Sequence, residues 1–385
     1  MSLAALPDYP WEQMTPFVER ARAHPGGIVD LSIGSPVDPT PVLVREALAA
    51  ATDAHSYPQT AGTPELRAAI ITWFARRRGV PGLRETEVLP TIGSKEFVAW
   101  LPFMLGLGEG DAVVHPRAAY PTYEIGATIA GARAVAADDP AEWPADTKLV
   151  WLNSPGNPDG SVLSLEQLAA AVAQARELGA TIVNDECYAE LGWEGRWAEE
   201  PVPSILDPRV VGLSAASGAG DATGVLAAYS LSKQSNLAGY RAAFVAGDER
   251  LIAQLLNVRK QAGMLPPAPV QRAMTVALGD DEHVAAQKEL YRARRAVLKP
   301  ALEAYGLRID RSEAGLYLWA TAGVDCWQSI AELADLGIVA GPGVFYGSYY
   351  PDHVRFSLTA TDERVRTAAQ RLIEVSRHRD TLPVV

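Results

Sequence analysis

The stretch GVLAAYSLSKQSNLAGYRAAFVAGD, Gly224 to Asp248, runs from an apolar segment into Ser-Leu-Ser-Lys, and an arginine follows eight residues after that lysine. The apolar run 225–231 predicts a buried strand. Lys233 then stands just past the strand's end, with Ser230 and Ser232 before it and Arg241 after it. A lysine in such a place is ordinarily a solvated loop residue. Held against apolar walls, however, its charged form is disfavoured, and a neutral amine attacks an aldehyde to form a Schiff base. Pyridoxal phosphate is the aldehyde to test, because it needs a lysine, an acid for its ring nitrogen and an anion cradle for its phosphate.

Outward from that stretch, short apolar runs alternate with longer patterned segments, the texture of an α/β fold with a mostly parallel, doubly wound sheet. Strands are predicted over 112–115, 148–152, 181–184, 210–213 and 225–231, and helices over 94–107, 120–130 and 165–178. Ser164 with Gln167 three residues on makes a capping box for the last helix. After Pro266-Pro267-Ala268-Pro269 the texture changes to a long charged helix, DDEHVAAQKELYRARRAVLKPALEAYG, and the alternating strands GLYLWAT and HVRFSLTA. The expected division is a large α/β domain over 44–270 and a small α+β domain made from 1–43 and 271–385. The patch SAASGAGDATG, Ser214 to Gly224, reads as a surface loop.

Composition narrows the class. The 385 residues, 48% of them hydrophobic, suffice for one large or two medium cores. Lys+Arg total 34 against 46 Asp+Glu, a formal charge of −12 that repels polyanions, so nucleic acid is not an expected partner. Two cysteines, Cys187 and Cys326, are too few for a disulfide framework or a cysteine metal cluster and fit a reducing, cytoplasmic setting. Neither a basic leader with an apolar core nor a run of about 18 apolar residues occurs, so export and membrane insertion are not expected.

Parallel α/β sheets bind ligands beyond the carboxyl ends of their strands, and four such ends carry chemistry here. Asp185 closes the run before Glu186, Cys187 and Tyr188, and a carboxylate there would keep a pyridine nitrogen protonated; an N-cap or an exposed turn acid is the competing reading. A metal is not expected, since no histidine lies nearby and consecutive side chains of an extended chain alternate in direction. Tyr188, and Asn157 in NSPGNPDG, are neutral donors suited to the cofactor's 3'-oxygen, although Asn157-Pro158 also reads as an ordinary turn. Gly93, Ser94 and Lys95 in IGSKE open a helix whose backbone N–H groups suit a phosphate. Ser230, Ser232 and Arg241 add hydroxyls and a cation. GAGDATG fails as a dinucleotide loop, because Thr223 takes the third glycine's place and the loop precedes its strand. Ser154 in LNSPG lacks the first glycine of a hydrolase nucleophile elbow.

NSPGNPDG, NDECYAELGW and SLSKQSNLAGYRAAF, in this order, resemble the fold type I, class I/II aminotransferases that use pyridoxal 5'-phosphate, over nearly the whole chain. That resemblance implies Lys233 as the Schiff-base lysine, Asp185 as the pyridinium partner, Asn157 and Tyr188 at the 3'-oxygen, and Arg241 with Ser230 and Ser232 at the phosphate. It implies that Tyr120 stacks on the ring and that Tyr57 reaches the phosphate of the neighbouring subunit of a homodimer with shared sites. It also implies that Arg355 grips the substrate α-carboxylate, with Asn157 and Gly34 beside it. The family's usual Asn-Pro-Thr-Gly appears as Asn157-Pro158-Asp159-Gly160. Further phrases, among them DLSIGSPVDPTP, LPTIGSKEFVAWLPFMLGLG and HVRFSLTATDER, resemble the actinobacterial N-succinyldiaminopimelate aminotransferases of lysine and diaminopimelate biosynthesis. The implied substrates are N-succinyl-LL-diaminopimelate and 2-oxoglutarate, and Arg259 and Lys260 are candidates for reading the distal succinyl carboxylate. An aminotransferase of another acidic or aromatic amino acid, a β-lyase or decarboxylase on the same scaffold, and a cofactor-binding regulator remain alternatives.

Overall fold

The computed structural model describes residues 6–8, 10–213 and 220–380. Seven strands make the central sheet: β1 (Val88–Ile92), β2 (Ala112–His115), β3 (Arg133–Ala136), β4 (Thr147–Asn153), β5 (Thr181–Asp185), β6 (Val225–Ser230) and β7 (Ala242–Gly247). Their order is β1-β7-β6-β5-β4-β2-β3, and only β7 runs against its neighbours. Period-two alternation divides each apolar run between two cores. Leu149 and Trp151 of β4 face one, while Val150 and Leu152 face the other, so the sheet is covered on both sides.

Helices α1 (Ser94–Met104) and α2 (Thr122–Ala130) cover the Trp151 face. Helix α3 (Leu165–Leu178) covers the other face. It begins at the expected capping box, with Ser164 and Gln167 each accepting the other's backbone N–H, and it ends at Gly179 in the left-handed conformation. Helix α4 (Glu249–Ala262) returns to the Trp151 face through Ile252 and Leu255.

A second core forms around a four-stranded antiparallel sheet of β8 (Arg308–Ile309), β9 (Tyr317–Thr321), β10 (Gly341–Pro342) and β11 (His353–Ser357), in the order β10-β11-β9-β8. Helices α5 (Glu282–Tyr305) and α6 (Asp362–Asp380) pack on it through Tyr291, Leu298, Leu302, Val365 and Leu372. Val29 and Leu31, near the N-terminus, belong to this core. So do Cys187, Tyr188 and Leu191 from the loop after β5, which ties the edge of the large sheet to the small one.

Two expectations are corrected. The predicted strand over 210–213 is instead the end of a short helix, Pro208–Val211. Asp207 accepts the Arg209 N–H and Pro208 sits in the first turn, so capping chemistry overrides the valine pair's strand preference. Besides β1, whose end at Leu89-Pro90-Thr91 leads into IGSKE, the sheet gains two strands beyond those predicted. Edge strand β3 is only partly buried, and β7 is a buried Ala- and Gly-rich run whose composition carries little strand propensity. Of the predicted loop 214–224, residues 214–219 lie outside the described residues. No helix among the described residues is long and apolar enough to cross a membrane.

Candidate active site

Topology gathers residues that lie far apart in sequence. The carboxyl ends of β1, β4, β5 and β6 share one edge of the sheet, and because β7 runs backwards its beginning lies there too. Gly93, Asn157, Asp185, Lys233 and Arg241 each sit at or just beyond one of these five ends.

One part of the edge is an anion cradle. Gly93 caps α1 with φ 78°, and a Cβ there would lie 2.1 Å from the Arg241 guanidinium, so only glycine lets the arginine close over the helix start. The Ser230 hydroxyl donates to the Ser232 hydroxyl at 2.8 Å and accepts the Ser232 N–H at 3.2 Å. The Lys95 side chain is exposed, so what it and Ser94 bring to the cradle is the backbone of the first turn. Behind that turn, Glu96 accepts from Arg259 Nη1 at 2.9 and 3.2 Å, and Arg259 is 0% exposed. The expectation that Arg259 reads a distal carboxylate is therefore corrected: its charge is committed to anchoring α1. Lys260 projects from the exposed face of α4.

A second part is a buried acid among neutral donors. Asp185 accepts from the Tyr123 hydroxyl at 3.1 Å and the Cys187 N–H at 3.2 Å, and Asn153 Nδ2 holds its carbonyl at 2.8 Å. Burial pushes its pKa up, against the pull of the hydrogen bonds from Cys187 and Tyr123. A buried carboxylate served by neutral donors is completed by a cation, and a protonated pyridine nitrogen supplies one. Pyridoxal phosphate thus fits the residues present. Lys233 donates its amine hydrogen to the Gly34 carbonyl, and burial lowers its pKa, enlarging the neutral fraction that reacts with an aldehyde. Tyr120 lies edge-on to Tyr123 at 5.9 Å, its hydroxyl pushed up to about 12 by burial. Glu186 turns away from the site and pairs with buried Arg78 at 2.9 Å, also accepting from Ser204 and the Ile205 N–H, which fixes the loop carrying Asp185 and Tyr188.

A third part is the converse, a buried cation among neutral acceptors. Arg355 donates to Asn157 Oδ1 at 2.8 Å and to the Ser32 carbonyl at 2.6 Å. Its guanidinium lies 3.9 Å from the centre of the Tyr317 ring and 4.6 Å from that of Tyr346, while Nε has no hydrogen-bond partner among the described residues. Such a cation is completed by an anion. Gly34 is again obligatory, since a Cβ there would lie 2.1 Å from the Tyr317 hydroxyl. The departure at Asp159 has a structural role: its buried carboxylate accepts from Arg311 Nη1 at 2.6 Å and from the Ser161 hydroxyl at 3.0 Å. Its carbonyl accepts the Ser312 N–H at 2.7 Å, so the acid fastens this loop to the second core.

Tyr57, another of the expected site residues, is 97% exposed. Four residues join the site that the motifs did not mark: Ser32, Tyr123, Asn153 and Tyr317. Tyr123 had a signal, lying one helical turn past Tyr120, and Asn153 had one as the polar end of an apolar strand. Tyr317 and Ser32 had none.

Comparison with known proteins agrees with this chemistry. The family model described as aminotransferase class I and II matches residues 27–372. The chain is 53% identical over 368 residues to the 4-dedimethylamino-4-oxo-anhydrotetracycline transaminase OxyQ of Streptomyces rimosus, covering 95% of this chain and 99% of that one. It is 52% identical over 370 residues to a "probable aminotransferase" of Mycobacterium tuberculosis, covering 96% and 86%. Among solved structures it resembles a "probable N-succinyldiaminopimelate aminotransferase" of Thermus thermophilus, with TM-score 0.83, 29% identity, and 95% and 100% coverage. Because the match extends over both sheets and every part of the edge just described, the chain belongs to the class I and II aminotransferases, fold type I enzymes that work with pyridoxal 5'-phosphate.

Proposed function

We propose that this aminotransferase moves an amino group between N-succinyl-LL-diaminopimelate and 2-oxoglutarate, in the route to diaminopimelate and lysine, as a cytoplasmic homodimer. The observation that carries the amino-acid part is Arg355, a buried guanidinium whose bonded partners are neutral oxygens. An α-carboxylate is the planar anion that its fork fits bidentately. The succinylated donor is supported by the sequence phrases shared with that branch and by the similarity to the Thermus protein.

Bound pyridoxal phosphate supplies an electron sink for the pair released at the substrate Cα. The chain's residues do the rest. Lys233 would hold the cofactor through its amine and, as a free base, would move the proton to and from Cα. Asp185 holds the proton on the ring nitrogen, and Tyr123 holds Asp185. Tyr188 donates toward the 3'-oxygen; Asn157, its Oδ1 taken by Arg355, keeps its amide N–H for the same atom. Tyr120 would lie against the ring. Gly93, Ser94, Ser230, Ser232 and Arg241 would receive the phosphate, and Tyr57 of each copy would reach the other's. The large unit, 44–270, carries the cofactor, and the small unit, 1–43 with 271–385, brings Arg355.

The relative at 53% identity favours a second reading, an amino acceptor like the 4-oxo compound of its name. Amino donors and oxo acceptors, each mixed with the matching cofactor form while the visible absorbance is followed, distinguish the two. Fastest conversion by N-succinyl-LL-diaminopimelate, with return by 2-oxoglutarate, supports the first; inertness to it defeats that reading. Pyruvate and ammonia formed without an acceptor would mark a lyase.

A further inference from the structure

We propose that Tyr317 is a positioning residue of this site: its hydroxyl donates to the Tyr188 hydroxyl and aims that group at the cofactor's 3'-oxygen, while its ring face holds Arg355 for the substrate. The inference rests on the reading that Lys233 carries the cofactor and that Tyr188 faces its 3'-oxygen.

Tyr317 opens strand β9, buried, and touches three functional positions at once. Its hydroxyl is 3.3 Å from that of Tyr188, and the two rings meet edge-to-face at 5.7 Å. The same hydroxyl covers Gly34, whose carbonyl accepts from Lys233. Its ring face lies 3.9 Å from the Arg355 guanidinium.

A phenol has one proton to give. If Tyr188 gives its proton to the cofactor, it must accept from Tyr317, and the acidities favour that direction. Burial would raise the pKa of both hydroxyls. For Tyr188 the direction is well up, but at Tyr317 the charges of Arg355 and Lys233, together with the hydrogen bond to Tyr188, outweigh burial and the net direction is down. The more acidic hydroxyl is the better donor. Arg355, covered on its faces by Tyr317 and Tyr346 and bonded in its plane to Asn157 and Ser32, is fixed in orientation before substrate arrives.

The two roles separate by substitution in the cofactor-loaded enzyme. Tyr317→Phe keeps the ring and removes the hydroxyl; Tyr317→Leu removes both. The lysine-bound cofactor changes colour as its imine nitrogen titrates, and a donor at the 3'-oxygen lowers that midpoint. Tyr317→Phe is expected to move the midpoint to higher pH by about half a pH unit or more, the size one neutral hydrogen bond supports. Its kcat should fall several-fold while KM for glutamate stays within about twofold. Tyr317→Leu should in addition raise KM roughly tenfold. An unmoved midpoint in Tyr317→Phe overturns the hydroxyl's role, and equal KM values in the two variants overturn the ring's. Lys233→Ala is the control: a titrating band that survives in it would overturn the cofactor reading and this inference together, whereas failure in the Tyr317 variants alone leaves that reading standing.

Discussion

The two halves of the site are built by opposite means. The cofactor half lies at strand ends, where loops of the large sheet present backbone N–H groups, hydroxyls, one amine and one acid. The half proposed to take the substrate lies within paired strands of the small sheet, where Arg355 and Tyr317 are buried beside the second core. Groups on loops can be changed without disturbing a sheet, whereas groups in a strand serve packing and chemistry together. Substitutions in the first half should therefore act on cofactor attachment, and substitutions in the second on substrate affinity, apart from loss of the Tyr317 hydroxyl, which acts across the boundary through Tyr188.

The largest expected effect is that of Lys233→Ala, a fall in kcat of roughly 10⁴-fold from loss of the proton-moving amine, read in a steady-state assay with N-succinyl-LL-diaminopimelate and 2-oxoglutarate. Next is Arg259→Ala, which leaves Glu96 partly buried without its cation. Urea unfolding should show a loss of about 3 kcal/mol and cofactor titration a weaker affinity, whereas Lys260→Ala should stay within about 0.5 kcal/mol. Arg355→Ala should raise KM for amino donors about a hundredfold, with cofactor loading unchanged, and Arg355→Lys should recover only part of the loss. If Arg355→Ala also released the cofactor, the division between halves would fail. The smallest effect is that of Asp159→Thr, which loses the ion pair to half-exposed Arg311 and should cost about 1 kcal/mol or less in thermal unfolding, with kcat nearly unchanged.

The same division explains what the sequence made legible. Asp185 and Ser230 to Lys233 were readable because each ends an apolar run, and Asn157 because it lies in the loop just beyond one; a parallel sheet has a known use for such ends. Tyr317 was not, because a tyrosine inside GLYLWAT looks like any core aromatic until Tyr188 and Arg355 are brought against it from other segments. Arg259 was misassigned for the converse reason: on its own helix it looks like a solvated basic residue, and only the fold reveals Glu96 beneath it. Strand β7 hid in its alanines and glycine, yet its reversed direction is what delivers Arg241 to the edge. The valines at 210 and 211 looked like a strand because their cap, Asp207-Pro208, acts through a backbone geometry that apolar patterning does not record.

The most direct test of the central claim is covalent. Reduction of the coloured holoenzyme with borohydride, followed by proteolysis and mass mapping, should place the cofactor's added mass on Lys233 and on no other lysine. An unmodified Lys233, or the added mass at Lys95 or Lys260 instead, would contradict it.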